Sequence, residues 1–93
     1  MAKFYRAKHI LLEEADDIDY IKDQFESGKS FEELAHEFSE CETALKGGDL
    51  GRFAPGVMDA AFERALYQME PGEIKYGVKT KFGHHIIKLL DKS

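Results

Sequence analysis

Apolar and aromatic residues crowd the stretch Phe4–Leu12, which ends in Ile10-Leu11-Leu12 and reads as a strand. Alternation puts Tyr5, Ala7, His9 and Leu11 on one face, with Ile10 and Leu12 on the other. Apolar residues on both faces predict a central strand, covered on two sides. His84–Leu90 has the same character and predicts a second central strand. Between them the period lengthens. Ile18, Ile21 and Phe25 recur at helical spacing, with Asp16 or Asp17 placed to cap the start and Gly28 behind the end. Ser30-Phe31-Glu32-Glu33 is a capping box, and Phe31, Leu34, Ala35 and Phe38 form one apolar helix face. Ser39–Leu45 is short and polar, a turn or two.

Lys46–Phe62 holds four glycines, Gly47, Gly48, Gly51 and Gly56. Leu50 and Phe53 fit a short strand crossing the core, and a helix over Met58–Leu66 puts Met58 and Phe62 on one face. Glu70-Pro71-Gly72-Glu73 carries Pro and Gly at the central places of a type II turn. Strands over Ile74–Thr80 and His84–Asp91 follow, joined around Lys81-Phe82-Gly83. The order is strand, helices, strand, helix, strand, strand, which is α+β and not a repeating βαβ. With 93 residues and no linker or internal repeat, the expectation is one domain over residues 1–93.

Composition adds boundaries. The chain is 43% hydrophobic and 33% charged, with seven Phe and four Tyr to fill a core. A net charge of −5 argues against nucleic acid as the main partner. Lys75, Lys79, Lys81 and Lys88 read as a solvated strand face. A single cysteine allows no internal disulfide and suits a reducing compartment. No segment has transmembrane length, and the first residues lack the apolar run of a signal sequence. The expectation is a cytoplasmic monomer without membrane or cofactor, although a domain cut from an exported chain would look the same.

Reactive side chains are few: Cys41, His9, His36, His84 and His85. His36 falls on the polar side of its helix. His84 and His85 point to opposite faces of a strand and cannot share a site. No Cys-x-x-Cys or His-x-x-x-His spacing supports a metal. A Cys–His nucleophile would also need an orienting third group and an oxyanion hole, and no motif announces either. The remaining feature is apolar. Leu50, Met58 and Phe62 can form three sides of a small cup, although a Met/Phe pair at this spacing is also ordinary core.

Taken together, Ala7-Lys8-His9-Ile10-Leu11, Phe38-Ser39-Glu40-Cys41, Lys46-Gly-Gly-Asp-Leu-Gly-Arg-Phe53, Met58 with Ala61-Phe62, and Phe82-Gly-His-His-Ile-Ile-Lys88 resemble the parvulin peptidyl-prolyl cis–trans isomerases. The resemblance spans nearly the whole chain. It implies a four-stranded, largely antiparallel sheet surrounded by four helices, in the order β-α-α-α-β-α-β-β, with Glu42–Leu45 as a short helix. It implies that Leu50, Met58 and Phe62 take the proline ring, with Phe82 at the rim. His9 and His85 correspond to the paired histidines beneath the site, Thr80 to the hydroxyl bonded to that pair, and Cys41 to the polar group over the amide. His84 stands where relatives often carry Tyr or Trp, and is expected to face outward without a role. The implied partners are proline-containing peptides and partly folded proteins. The main alternative is a catalytically weak, chaperone-like peptide-binding module. Phospho-directed relatives carry Lys or Arg after the first strand; Glu13-Glu14-Ala15-Asp16-Asp17 puts four carboxylates there and would repel a phosphate.

Overall fold

Both strands expected at the centre of a sheet take that place in the computed structural model, which describes residues 2–93. The strands are β1 (Tyr5–Leu12), β2 (Asp49–Phe53), β3 (Ile74–Thr80) and β4 (Gly83–Lys92). They lie in the order β2-β1-β4-β3, and all three pairings are antiparallel. The helices are α1 (Ile18–Glu26), α2 (Phe31–Phe38) and α3 (Ala60–Tyr67). The third of the four expected helices is a 3₁₀ turn, Glu42–Lys46.

Alternation along the central strands sorts the interior into two layers. Tyr5 and Ala7 of β1 and Ile87 and Leu89 of β4 pack with Phe62, Ala65 and Leu66 of α3. Ile10, Leu12 and Ile86 point the other way and pack with Ile21 of α1 and with Phe31 and Leu34 of α2. Each inner strand is therefore buried on two faces, as its run of apolar residues requires.

Three local expectations change. Ser30 caps α2 by accepting the Glu33 N–H at 3.1 Å, but the Glu33 carboxylate meets the Ser30 hydroxyl rather than its backbone. Neither Asp16 nor Asp17 caps α1. Both lie in a 3₁₀ turn over Ala15–Asp17, and Asp17 already has helical angles (φ −87°, ψ −3°), so its carboxylate makes no cap bond. Met58 lies outside α3. The Asp59 carboxylate accepts the Ala61 N–H at 2.9 Å from an extended backbone and starts the helix at Ala60. Met58 and Phe62 are thus not on one helix face, although they still meet across a cavity. The type II turn is present, with Gly72 at φ 94° and the Glu73 N–H bonded to the Glu70 carbonyl at 3.0 Å.

Candidate active site

His9 and His85 sit on neighbouring inner strands. His9 is paired with Ile87 and Leu11 with His85, so the two histidines are diagonal neighbours on one face. Their rings stack with centroids 5.2 Å apart and an interplanar angle of 19°. His9 Nδ1 lies 3.0 Å from His85 Nδ1. His9 Nε2 lies 3.2 Å from Thr43 Oγ1, and His85 Nε2 lies 2.7 Å from Thr80 Oγ1. Two proton arrangements satisfy this row. In one, Thr43 donates to His9, His9 to His85, and His85 to Thr80; in the other every bond is reversed. Both leave a single proton between the two Nδ1 atoms. All four ring nitrogens are occupied in either case.

A cavity of about 230 Å³ opens above the pair, lined by Leu11, Cys41, Leu50, Met58, Asp59, Phe62 and Phe82 together with His9 and His85. That is smaller than the roughly 300–1,000 Å³ of pockets that engulf a whole small ligand. It suits one ring with part of its flanking chain. Phe62 forms the floor, meeting His9 and His85 edge-on at 5.7 and 5.3 Å. Phe82 is 62% exposed at the rim, and its N–H donates to Thr80 Oγ1 at 3.1 Å, so rim and histidine row are tied together. Gly48 lets β2 approach β1 beside the site: its carbonyl accepts the His9 N–H at 2.9 Å. With φ +84°, a Cβ at Gly48 would stand 2.4 Å from the His9 carbonyl oxygen.

Residues 9–91 match the rotamase family, described as the PPIC-type PPIase domain. The chain belongs to that family as a PPIC-type PPIase domain. Foldase protein PrsA of Geobacillus kaustophilus is 43% identical over 88 residues, covering 94% of this chain but 31% of that protein. The solved PrsA of Bacillus anthracis superposes with a TM-score of 0.93 at 40% identity, covering 99% of this chain and 43% of that one. NmPin, the parvulin of Nitrosopumilus maritimus, superposes with a TM-score of 0.85 at 34% identity, covering 98% and 99%. This PPIase domain thus spans about a third of the PrsA relative and nearly all of NmPin.

In this PPIase domain the residues expected at the site are brought together. His9, Cys41, His85, Leu50, Met58, Phe62 and Phe82 all line the cavity, and Thr80 lies behind His85. His36 is exposed, and His84 projects from β4 on the opposite side to His85. Three residues escape sequence reasoning. Thr43 closes the histidine row from the 3₁₀ turn, Asp59 lines the cavity while capping α3, and Leu11 forms part of the wall. Only Leu11 had a signal, since alternation puts it on the His9 face.

The electrostatics favour neutral rings. Burial, and then the neighbouring His85, push His9 down to about 4. Burial also lowers His85, opposed by the Asp59 carboxylate and reinforced by His84. A neutral, hydrogen-bonded pair holds shape under the cup without placing a charge there.

Proposed function

We propose that this PPIase domain rotates Xaa-Pro bonds in peptides and partly folded proteins by seating the proline ring in the cup above His9 and His85. The observation that carries this reading is the joint lining of one open cavity by Leu50, Met58 and Phe62, side chains from β2, a loop and α3. Amide rotation faces a barrier of ~18–20 kcal/mol, and the uncatalysed process takes tens to hundreds of seconds. Reaching ~10 turnovers per second needs roughly 10³-fold, about 4 kcal/mol. Conjugation is lost in the twisted state, and the carbonyl becomes less polar than in the planar amide. An apolar, water-poor cup therefore favours the twisted state. A protease-coupled proline assay on the purified chain tests the proposal: turnover above the uncatalysed rate is expected, and none would contradict it.

No bond needs to be broken, and the site offers no activated nucleophile. Every ring nitrogen of His9 and His85 is engaged by the other histidine or by a threonine, leaving none for the Cys41 thiol. Cys41 then acts as a polar group beside the carbonyl. Cys41→Ser is expected to keep measurable activity, within about tenfold of the parent. Complete loss in a folded variant would point to covalent catalysis instead.

Carboxylates outnumber cations around the cup. Glu13, Glu14, Asp16 and Asp17 are exposed in the segment that follows β1, the Glu40 carboxylate holds the Glu13 N–H beside Cys41, and Asp59 reaches the cavity itself, while Lys81 over the Phe82 ring is a cation at the rim. On balance a phosphate would enter against like charge. In a peptide panel, Leu-Pro, Met-Pro and Ala-Pro are expected to outrun phospho-Ser-Pro and Glu-Pro by about tenfold or more. The reverse order would refute the electrostatic assignment.

A second reading is a chaperone-like module that holds apolar segments with poor turnover. Exposed Phe82 and Val57 beside the cup favour it, as do the names foldase and chaperone carried by similar proteins. The same assay separates the two, because a holding module binds the peptide without accelerating it. The proposal extends to a cytoplasmic monomer without nucleic-acid or membrane partners, on the net charge of −5 and single thiol. A dimer in light scattering, or duplex binding at physiological salt, would contradict it.

A further inference from the structure

Glu63 is a buried carboxylate that plays no part in the chemistry above. It sits in the first turn of α3, next to Phe62, and is only 4% exposed. Helical side chains lean back toward the N-terminus. This one reaches past the start of its own helix to the loop between β2 and α3. Its Oε1 accepts the Gly56 N–H at 2.8 Å and the Tyr67 hydroxyl at 2.9 Å. Its Oε2 accepts the Met58 N–H at 2.8 Å and shares the Gly56 N–H at 3.0 Å. All of these partners donate, so the site demands an acceptor on both oxygens and a negative charge to strengthen the bonds. Burial pushes the Glu63 carboxyl up. The N–H groups of Gly56 and Met58, the Tyr67 hydroxyl and the Val57 N–H outweigh it and hold the group below the ordinary carboxylate range.

We infer that Glu63 is a positioning residue for proline binding: it fixes Met58, and hence the width of the cup, against Phe62. One turn of α3 then carries the floor through Phe62 and clamps the Met58 wall through Glu63. Without the clamp, Gly56 and Val57 form a short, exposed loop with few other ties, and Met58 drifts away from the ring. Met58 touches the ring in the planar and twisted states alike. Loss of the clamp therefore weakens uniform binding, which raises KM and leaves kcat in place. The inference rests on the cup reading. Turnover by the parent chain tests that reading, while the division between KM and kcat in variants tests the clamp.

Two variants make the test, each measured by full saturation kinetics on a Leu-Pro or Ala-Pro peptide. In Glu63→Gln the amide oxygen in the Oε2 place still accepts from Met58 and Gly56, while the NH₂ in the Oε1 place can donate to the Tyr67 oxygen but stands against the Gly56 N–H, so the loop is held by fewer and weaker bonds. KM is expected to rise about fivefold with kcat within about twofold of the parent. Tyr67→Phe removes one bond from a side chain that is 39% exposed, and is expected to raise KM about twofold. In the amide spectrum, Gly56 and Met58 are expected to move most in both variants. Unchanged KM, or a fall in kcat at constant KM, would overturn the inference even if stability drops.

Discussion

Phe62→Ala is expected to remove nearly all activity, with kcat/KM falling by about 100-fold or more, and to destabilise the fold at the same time. The ring is 3% exposed and belongs to the cluster formed by Tyr5, Ala7, Leu66 and Ile87. Truncating such a side chain costs roughly 3–5 kcal/mol. A domain of this size has about 5–15 kcal/mol to lose. The ring is also the floor of the cup and the edge-on partner of both histidine rings. Its loss lets water under the amide and frees His9 and His85 to tilt. Phe62→Leu keeps most of the volume but not the flat floor. It is expected to fold, at a cost of about 1–2 kcal/mol, and still to lose activity by about tenfold. Urea titration and the proline assay on the same samples separate the two effects. Parent-like activity in a folded Phe62→Leu would show that the flat ring is not required.

Acid is expected to unfold the domain from the histidine row outward. His9 binds its proton only near pH 4 in the folded state and near 6.5 when unfolded, and His85 is lowered in the same sense. Between those values the unfolded chain takes up protons that the folded chain refuses. The stability contribution is full above about pH 6.5 and is lost as pH falls toward 4. For His9 alone the loss is on the order of 3 kcal/mol, and His85 adds to it. Geometry sharpens the effect. One extra proton can be accommodated in the row, but a second would set two N–H groups against each other across the 3.0 Å contact of the Nδ1 atoms. Glu32, Asp49 and Glu63 are held below their ordinary values, so their losses fall at lower pH than the start of this slope. Urea unfolding at a series of pH values from 7 to 4 reads the slope directly. His9→Asn is expected to flatten it, and a parent profile flat from 6.5 to 4.5 would contradict the neutral pair.

Most of the fold follows from periodicity, because the two inner strands carry apolar residues on both faces and the helices on one. The cup was legible only in part: Leu50, Met58 and Phe62 are apolar, but helical spacing placed Met58 on α3, whereas it reaches the cavity from the loop before that helix. Hydrophobic patterns say nothing of hydrogen bonds between distant segments. Thr43 stands in a polar stretch, and only the 3₁₀ turn brings it to His9. Glu63 reads as an exposed helix position, yet its side chain folds back and buries itself on a loop. Asp59 doubles as a helix cap and a cavity wall, and the cap is what displaced Met58 from the helix. These are pairings of polar groups across the chain, and neither a period of two nor one of 3.6 reports them.

The seat of the proline ring and the rotation of the bond can be read in one sample by exchange NMR, with labelled protein and a Leu-Pro peptide. Cis and trans peptide signals are expected to exchange within a second or less, against tens to hundreds of seconds for the free peptide. Leu50, Met58 and Phe62 are expected to shift on titration. Peptide signals that stay in slow exchange while those three residues shift, or exchange without any shift at them, would contradict the cup as the place where the bond turns.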